Sequence, residues 1–179
     1  MLSENKDGNL TPEQVKFAST VFSSGNDLLG LINEILDLSK VEAGKMPIDA
    51  KEIKITNVQE YVEQTFRHMA EQKSLDFEIK MDEHLPQIMF TDVNRLQQIL
   101  KNLLSSAFKF TEQGHVELII KPADKNQKFA VSNLNPSQNV IAFMVKDTGI
   151  GIPQNKQNLI FEAFQQADGT TSRKYGGTG

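Results

Sequence analysis

An apolar seam near the N-terminus constrains this chain more than any other feature. Apolar or small residues recur at Ala18, Val21/Phe22, Gly25, Leu28/Leu29, Ile32, Ile35/Leu36 and Ser39, in alternating steps of three and four. That spacing draws one stripe along one helix face, the seam of a bundle or coiled coil. In Thr11-Pro12-Glu13-Gln14, Thr11 can cap, Pro12 suits the first helical position and Gln14 completes a capping box. Ala43-Gly44, Lys45 and Pro47 mark the helix end. A helix of about 30 residues exceeds the usual globular length. Nothing else in the chain offers a surface to cover the whole stripe, so pairing with a second copy is expected.

After Gly44 the pattern changes. Residues 46–55 read as short extended segments, and Thr56-Asn57-Val58-Gln59 as a second capping box opening a helix to about Lys73. Phe77 to Met81 alternates with period two, as a strand does. Ile88-Met89-Phe90 is a short strand, Asp92 opens a helix to about Lys109, and His115 to Lys121 and Val140 to Lys146 are further strands. Residues 122–137 form a long polar loop, and a short helix is expected around Asn158 to Phe164. Helices on one face of a mixed sheet, a two-layer α+β sandwich, are the economical architecture.

Composition narrows the classes. The 179 residues carry 19 basic and 23 acidic side chains, a net charge of −4, which argues against a nucleic-acid partner. No cysteine is present, which excludes disulfides and thiolate chemistry. No apolar run reaches the roughly 18–20 residues of a membrane span, and the first residues lack the order of a signal peptide. The chain reads as cytoplasmic.

Two constellations carry chemistry. On the Asp92 helix, Leu96, Ile99/Leu100, Leu103, Ala107 and Phe110 read as the apolar face, and Arg95, Gln98, Asn102, Ser106 and Lys109 as a polar stripe. Asn and Ser offer oxygen ligands for a hard cation, and Lys a charge for a phosphate. Alone, such a stripe is more often a solvated face. Asp147-Thr148-Gly149-Ile150-Gly151-Ile152-Pro153 follows a strand, its glycines permitting a tight turn and close backbone approach. Gly176-Gly177-Thr178-Gly179 is a second glycine cluster whose N–H groups could cradle phosphates, although no Walker loop is present.

In order, these residues resemble the ATP-binding domain of sensor histidine kinases of the hybrid type. Asp92-x-x-Arg95-Leu96-x-Gln98-Ile99-Leu100-x-Asn102-Leu103-Leu104 with Ala107-x-Lys109-Phe110-Thr111 is similar to the asparagine box. Asp147 to Ile152 is similar to the first glycine box, Phe161-Glu162-x-Phe164-x-Gln166-Ala167-Asp168 to the phenylalanine box, and Gly176 to Gly179 to the start of the second glycine box. Asn26 to Met46 resembles the second helix of the dimerisation and histidine-phosphotransfer domain. The resemblance implies two regions, 1–45 from that bundle and 46–179 a truncated Bergerat-type ATP-binding fold. It implies ATP with Mg2+ and γ-phosphoryl transfer to a histidine. Asp147 takes the adenine position, and Gly149, Gly151 and Ile152 shape the pocket. Asn102 and Ser106 stand on the metal side, Lys109 on the phosphate side and Phe110 beside the base. Phe164 opens a lid that runs to Gly176 and holds Arg173 and Lys174, and Gly177 and Gly179 lie near the phosphates. The implied partners are a phosphoacceptor-histidine helix and a response-regulator receiver domain, and parent proteins of this type are often membrane-attached.

Three departures follow. The acceptor histidine of the first bundle helix has no counterpart, since His68, His84 and His115 fall elsewhere, so autophosphorylation by this chain is not expected. The family's second asparagine is Ser106, whose side chain is about 1 Å shorter than asparagine's, whereas Mg2+ favours near-octahedral contacts at about 2.0–2.1 Å. The family's Leu-Gly-Leu helix and two further strands lie beyond Gly179, so an open sheet edge is expected. A non-catalytic module that senses nucleotide or dimerises is the competing reading. A water-activating ATPase of the same fold fits least, because it needs Glu as base where Asn102 stands.

Overall fold

The structure is a computed structural model that describes residue 5 and residues 8–124 and 140–157, without the side chains of two residues in the long helix. It divides into a helical unit ending at Ile48 and an α/β unit beginning at Asp49.

The helical unit is α1, Pro12–Glu42. Its capping box forms as the sequence directs: Gln14 N–H donates to Thr11 Oγ1 at 3.3 Å, and Thr11 N–H donates to Gln14 Oε1 at 2.8 Å. At the other end Gly44 turns left-handed at φ 63°, Lys45 N–H reaches Lys40 O at 2.9 Å and Gly44 N–H reaches Val41 O at 2.9 Å. These two bonds are a Schellman stop, which needs a residue free to adopt positive φ. Apart from the half-buried Ala18, the seam residues are exposed, Val21 by 71%.

The α/β unit runs β1 (Lys51–Lys54), α2 (Ile55–Lys73), β2 (Asp76–Met81), β3 (Ile88–Thr91), α3 (Val93–Phe110), β4 (His115–Pro122) and β5 (Ile141–Asp147), then a short 3-10 turn, Gln154–Lys156. A three-stranded sheet has the order β2-β4-β5, with β2 parallel and β5 antiparallel to β4. β1 and β3 form a separate antiparallel pair. Period-two alternation sends Val116, Leu118 and Ile120 of β4 inward, all fully buried. They meet Val58, Val62, Phe66 and Ala70 of α2 and Leu100, Leu104, Ala107 and Phe108 of α3 in one core. Phe108 stacks on Phe66 at 5.6 Å between centroids and meets Phe77 edge-on at 5.2 Å. The fold is thus the expected two-layer α+β sandwich, with neither sheet closed.

Two local expectations are corrected. α2 begins at Ile55, one residue before Thr56, and its N-cap Lys54 makes no side-chain capping bond. Burial decides this entry: Ile55 is 1% exposed and its N–H donates to Gln87 O at 3.1 Å, so Thr56 lies inside the helix with no capping task. On α3, Ile99 and Leu103 are exposed, by 56% and 46%, and Phe110 is half-buried, whereas Leu104 and Phe108 enter the core. The helix carries apolar residues on two arcs, and the sheet covers the arc through Leu100, Leu104 and Phe108. The helix expected at 158–164 and most of the 122–137 loop lie outside the described residues.

Candidate functional site

α3 and the turn after β5 position the site. Asp92 starts α3: its carboxylate accepts from Asn94 N–H and Arg95 N–H, both at 3.1 Å, and from Asp49 N–H at 3.0 Å. The Asp49 N–H, then that of Arg95, hold its carboxyl below the ordinary aspartate range. One side chain thereby caps the helix and ties it to the first residue of the α/β unit.

Along the polar stripe, Arg95 Nη1 donates to Gln98 Oε1 at 2.9 Å. Asn102 and Ser106 follow, exposed and one turn apart on the same face. Lys109 is half-buried, with Nζ 5.2 Å from the Phe110 ring centroid. The exposed Ile99 and Leu103 share this face, so the polar stripe has an apolar border that the sequence reading assigned to the core.

β5 delivers Asp147 as its last residue, and the side chain is exposed. Its Oδ1 accepts from Gly149 N–H at 2.9 Å. The two glycines of the turn are required for different reasons. A Cβ on Gly149 would stand 2.4 Å from Phe110 O, so the position has no room for one. Gly151 has open space but φ +67°, a backbone conformation that side chains disfavour. Ile150 N–H donates to Phe110 O at 3.3 Å. The Asp147 turn therefore lies against the C-terminal end of α3, and Ser106 and Asn102 follow one and two turns back, Asn102 about 12 Å along the axis. Ile152 is exposed at the far side of the turn. Phe164, Gly177, Gly179 and the lid residues lie outside the described residues.

The Asn102 amide oxygen and the Ser106 hydroxyl are neutral, solvent-facing donors. They fit Mg2+, which keeps several waters and takes substrate phosphate oxygens beside a few protein ligands. Among the described residues no group of three or more His, Asp or Glu gathers as an alternative metal site. His68 lies on α2, His84 in the turn after β2 and His115 at the head of β4. A groove of about 500 Å³ opens at the other end of β5, beside Ile141 and Phe143, and among the described residues none of the site lines it. Among the described residues no helix is long and apolar enough to cross a membrane.

Two contacts escaped the sequence reading. Gly114, with φ +108°, is packed so closely on Thr148 that a Cβ would stand 2.2 Å from its Oγ1. Thr148 Oγ1 accepts from His115 N–H at 3.0 Å. A glycine just before a strand was the available signal for the first residue, and Thr148 gave none.

Residues 91–179 match the family described as histidine kinase-, DNA gyrase B- and HSP90-like ATPase. The chain is 39% identical over 171 residues to hybrid signal transduction histidine kinase K of Dictyostelium discoideum, covering 96% of this chain and 14% of that protein. It is 37% identical over 170 residues to the signal transduction histidine-protein kinase BarA of Escherichia coli K12, covering 95% of this chain and 18% of that protein. The chain thus spans less than a fifth of the length of these two relatives. Among solved structures, full-length ShkA in complex with AMPPNP superposes with a TM-score of 0.73 at 30% identity, over 96% of this chain and 34% of that one. The Acinetobacter baumannii histidine kinase AdeS shares the fold, with a TM-score of 0.64 at 21% identity over 87% of this chain and 69% of that one. With the Asp147 turn seated on the helix that bears Asn102 and Ser106, these likenesses agree: residues 91–179 are a domain of the histidine kinase-, DNA gyrase B- and HSP90-like ATPases, and the chain is similar to sensor histidine kinases over nearly its whole length.

Proposed function

We propose that this chain is the Mg-ATP-binding part of a two-component sensor histidine kinase, joined to the second helix of its dimerisation domain. One observation carries the reading: the Asp147 carboxylate is exposed at a strand end and held by Gly149 N–H, in a turn bonded to Phe110 of the helix that bears the polar stripe. A carboxylate so placed accepts a hydrogen bond from an exocyclic amino group, the adenine N6 donor. Phe110, half-buried next to this turn, offers a ring face for the base. The exposed Ile99 and Leu103 give the site an apolar border, as nucleotide sites require. Lys109 brings positive charge toward the phosphates, and Asn102 and Ser106 hold the metal side. When bound, Mg2+ neutralises developing charge on the phosphates. The γ-phosphoryl passes to an imidazole nitrogen with ADP leaving, and the protein's part is positioning and charge stabilisation. Gly177 and Gly179 near the phosphates and Phe164 at the lid complete the reading. The acceptor histidine comes from another helix, since none of His68, His84 and His115 sits on a seam.

Calorimetric titration of ATP into the chain, with Mg2+ and then with chelator, tests this. Magnesium-dependent binding that Asp147→Asn abolishes is expected, and Ser106→Asn should tighten the magnesium-dependent part. A wild-type chain that takes up no ATP overturns the reading. A second reading, a nucleotide-sensing module without transferase activity, is favoured by Ser106. Transfer of labelled phosphoryl to a supplied acceptor-histidine helix separates the two.

A further inference from the structure

We infer that Thr148 is a positioning residue: its hydroxyl latches the Asp147 turn to the 113–115 turn and so fixes where the adenine-binding carboxylate stands. The inference rests on the nucleotide reading above and adds a residue with no ligand contact of its own. Thr148 lies between the base-side aspartate and the glycine that packs on α3, and it is bonded on both sides of its backbone. Its N–H donates to His115 O at 3.2 Å, and its Oγ1 accepts from His115 N–H at 3.0 Å. The hydroxyl proton has two acceptors within reach, His115 O at 3.3 Å and Gln113 O at 3.4 Å. Gly114 is the other half of the latch. It has no Cβ to displace the hydroxyl, and its own carbonyl accepts from Asp76 N–H at 3.1 Å, which anchors the 113–115 turn to β2.

The arrangement clamps the 147–150 turn from two sides. Phe110 O receives Ile150 N–H on the α3 side, and the Gln113–His115 backbone holds Thr148 on the sheet side. Asp147 sits between these anchors, with Oδ1 already taken by Gly149 N–H. A turn this exposed owes its order to such bonds rather than to burial. Without the Thr148 hydroxyl, His115 N–H loses its acceptor, and the sheet side holds the turn by the Thr148 N–H to His115 O bond alone. Asp147 then samples orientations in which its carboxylate misses the base, and affinity falls by the share of competent conformers lost.

The test compares Thr148→Ala, which removes the hydroxyl, with Thr148→Ser, which keeps it. Amide hydrogen exchange is followed in the nucleotide-free chain, and adenosine and ATP affinities are measured by titration. In Thr148→Ala, exchange at His115 and Gly149 should rise and adenosine affinity fall by about fivefold, the worth of one ordinary hydrogen bond. The ratio of ATP affinities with and without Mg2+ should stay as in wild type, because α3 is untouched. Thr148→Ser should restore both readouts. Thr148→Ala with wild-type adenosine affinity overturns the inference while the nucleotide reading stands. A fivefold loss that Ser does not restore also overturns it, since packing rather than the hydroxyl would then be responsible. A wild-type chain that binds neither adenosine nor ATP overturns the nucleotide reading first, and the inference with it. Should Thr148→Ala unfold, Thr148→Val, which keeps the bulk and removes the hydroxyl, must give the same selective loss of adenosine binding.

Discussion

Two helices of this chain carry apolar residues at the same three-and-four spacing and meet different fates. α3 buries Leu100, Leu104, Ala107 and Phe108 against the sheet, and its exposed face keeps the polar stripe. α1 leaves Val21, Phe22, Leu28, Leu29, Ile32 and Leu36 exposed along its whole length. Periodicity states which face is apolar and leaves open what covers it. For α3 the cover is β4, whose inward residues match it in the same chain. For α1 each half-exposed Leu or Ile forgoes part of the about 1.5–3 kcal/mol that full burial contributes. A second copy, the expected partner, would recover that energy.

The largest expected effect breaks the comparison on its buried side. Phe108→Ala removes the ring that joins Phe66 and Phe77 and should destabilise the α/β unit by about 3–5 kcal/mol. Leu29→Ala, a truncation on the exposed stripe, should move that unit's unfolding by less than about 0.5 kcal/mol. Denaturant unfolding followed by a probe in the α/β unit measures both. Similar losses would mean that the stripe is covered after all.

Glycines give the next contrast. Gly149→Ala drives a Cβ into the Phe110 carbonyl and should cost about 1–3 kcal/mol, with loss of nucleotide binding. Gly25 lies within α1 with open space around it. Gly25→Ala should therefore raise α1 helicity by about 0.5–1 kcal/mol, read by circular dichroism. If Gly25→Ala instead weakens the helix as concentration rises, another backbone packs at that seam position, and the dimer reading is sharpened.

The capping boxes form a third pair. Thr11→Ala should cost about 1 kcal/mol of helix stability, because both reciprocal bonds are present. Thr56→Ala should change stability by less than about 0.5 kcal/mol, because Thr56 caps nothing. Thermal melts of the two variants decide this, and equal losses would restore Thr56 as a cap.

That pair shows what the sequence could and could not tell. The α1 cap is read from local chemistry alone, since no tertiary contact competes at Thr11. At Thr56 the same letters are overridden by Ile55, whose burial and bond to Gln87 set the helix entry from far along the chain. β2 and β4 are legible because apolar residues fall at every second position, Phe77, Ile79 and Met81 in one and Val116, Leu118 and Ile120 in the other. The inward face of α3 was misjudged at Ile99 and Leu103, since a wheel sums hydrophobicity and cannot see which arc the sheet meets. Asp147, Gly149 and Gly151 stood out as a motif, but Gly149's reason, the Phe110 carbonyl, comes from tertiary packing. Thr148 is silent for the same cause, and Gly114 signals only as a glycine before a strand: they act through backbone groups of each other's loops.

A last contrast lies where the polar stripe of α3 ends. Thr111 follows Phe110 and reads as an ordinary polar helix stop, yet it is fully buried. Its N–H donates to Ala107 O at 3.1 Å, whereas its Oγ1 has no partner among the described residues. A buried hydroxyl without a partner is a net cost, because folding strips its water and returns nothing. Valine has nearly the same shape, and the extended backbone at φ −103°, ψ 116° suits a β-branched residue. Thr111→Val should therefore leave stability unchanged or raise it by about 0.5–1 kcal/mol, measured by thermal unfolding. It should leave nucleotide affinity alone, since the site faces the other side of α3. A loss above about 1 kcal/mol would show that Thr111 has a partner in solution, and a loss of binding without a loss of stability would extend the site past the end of the helix.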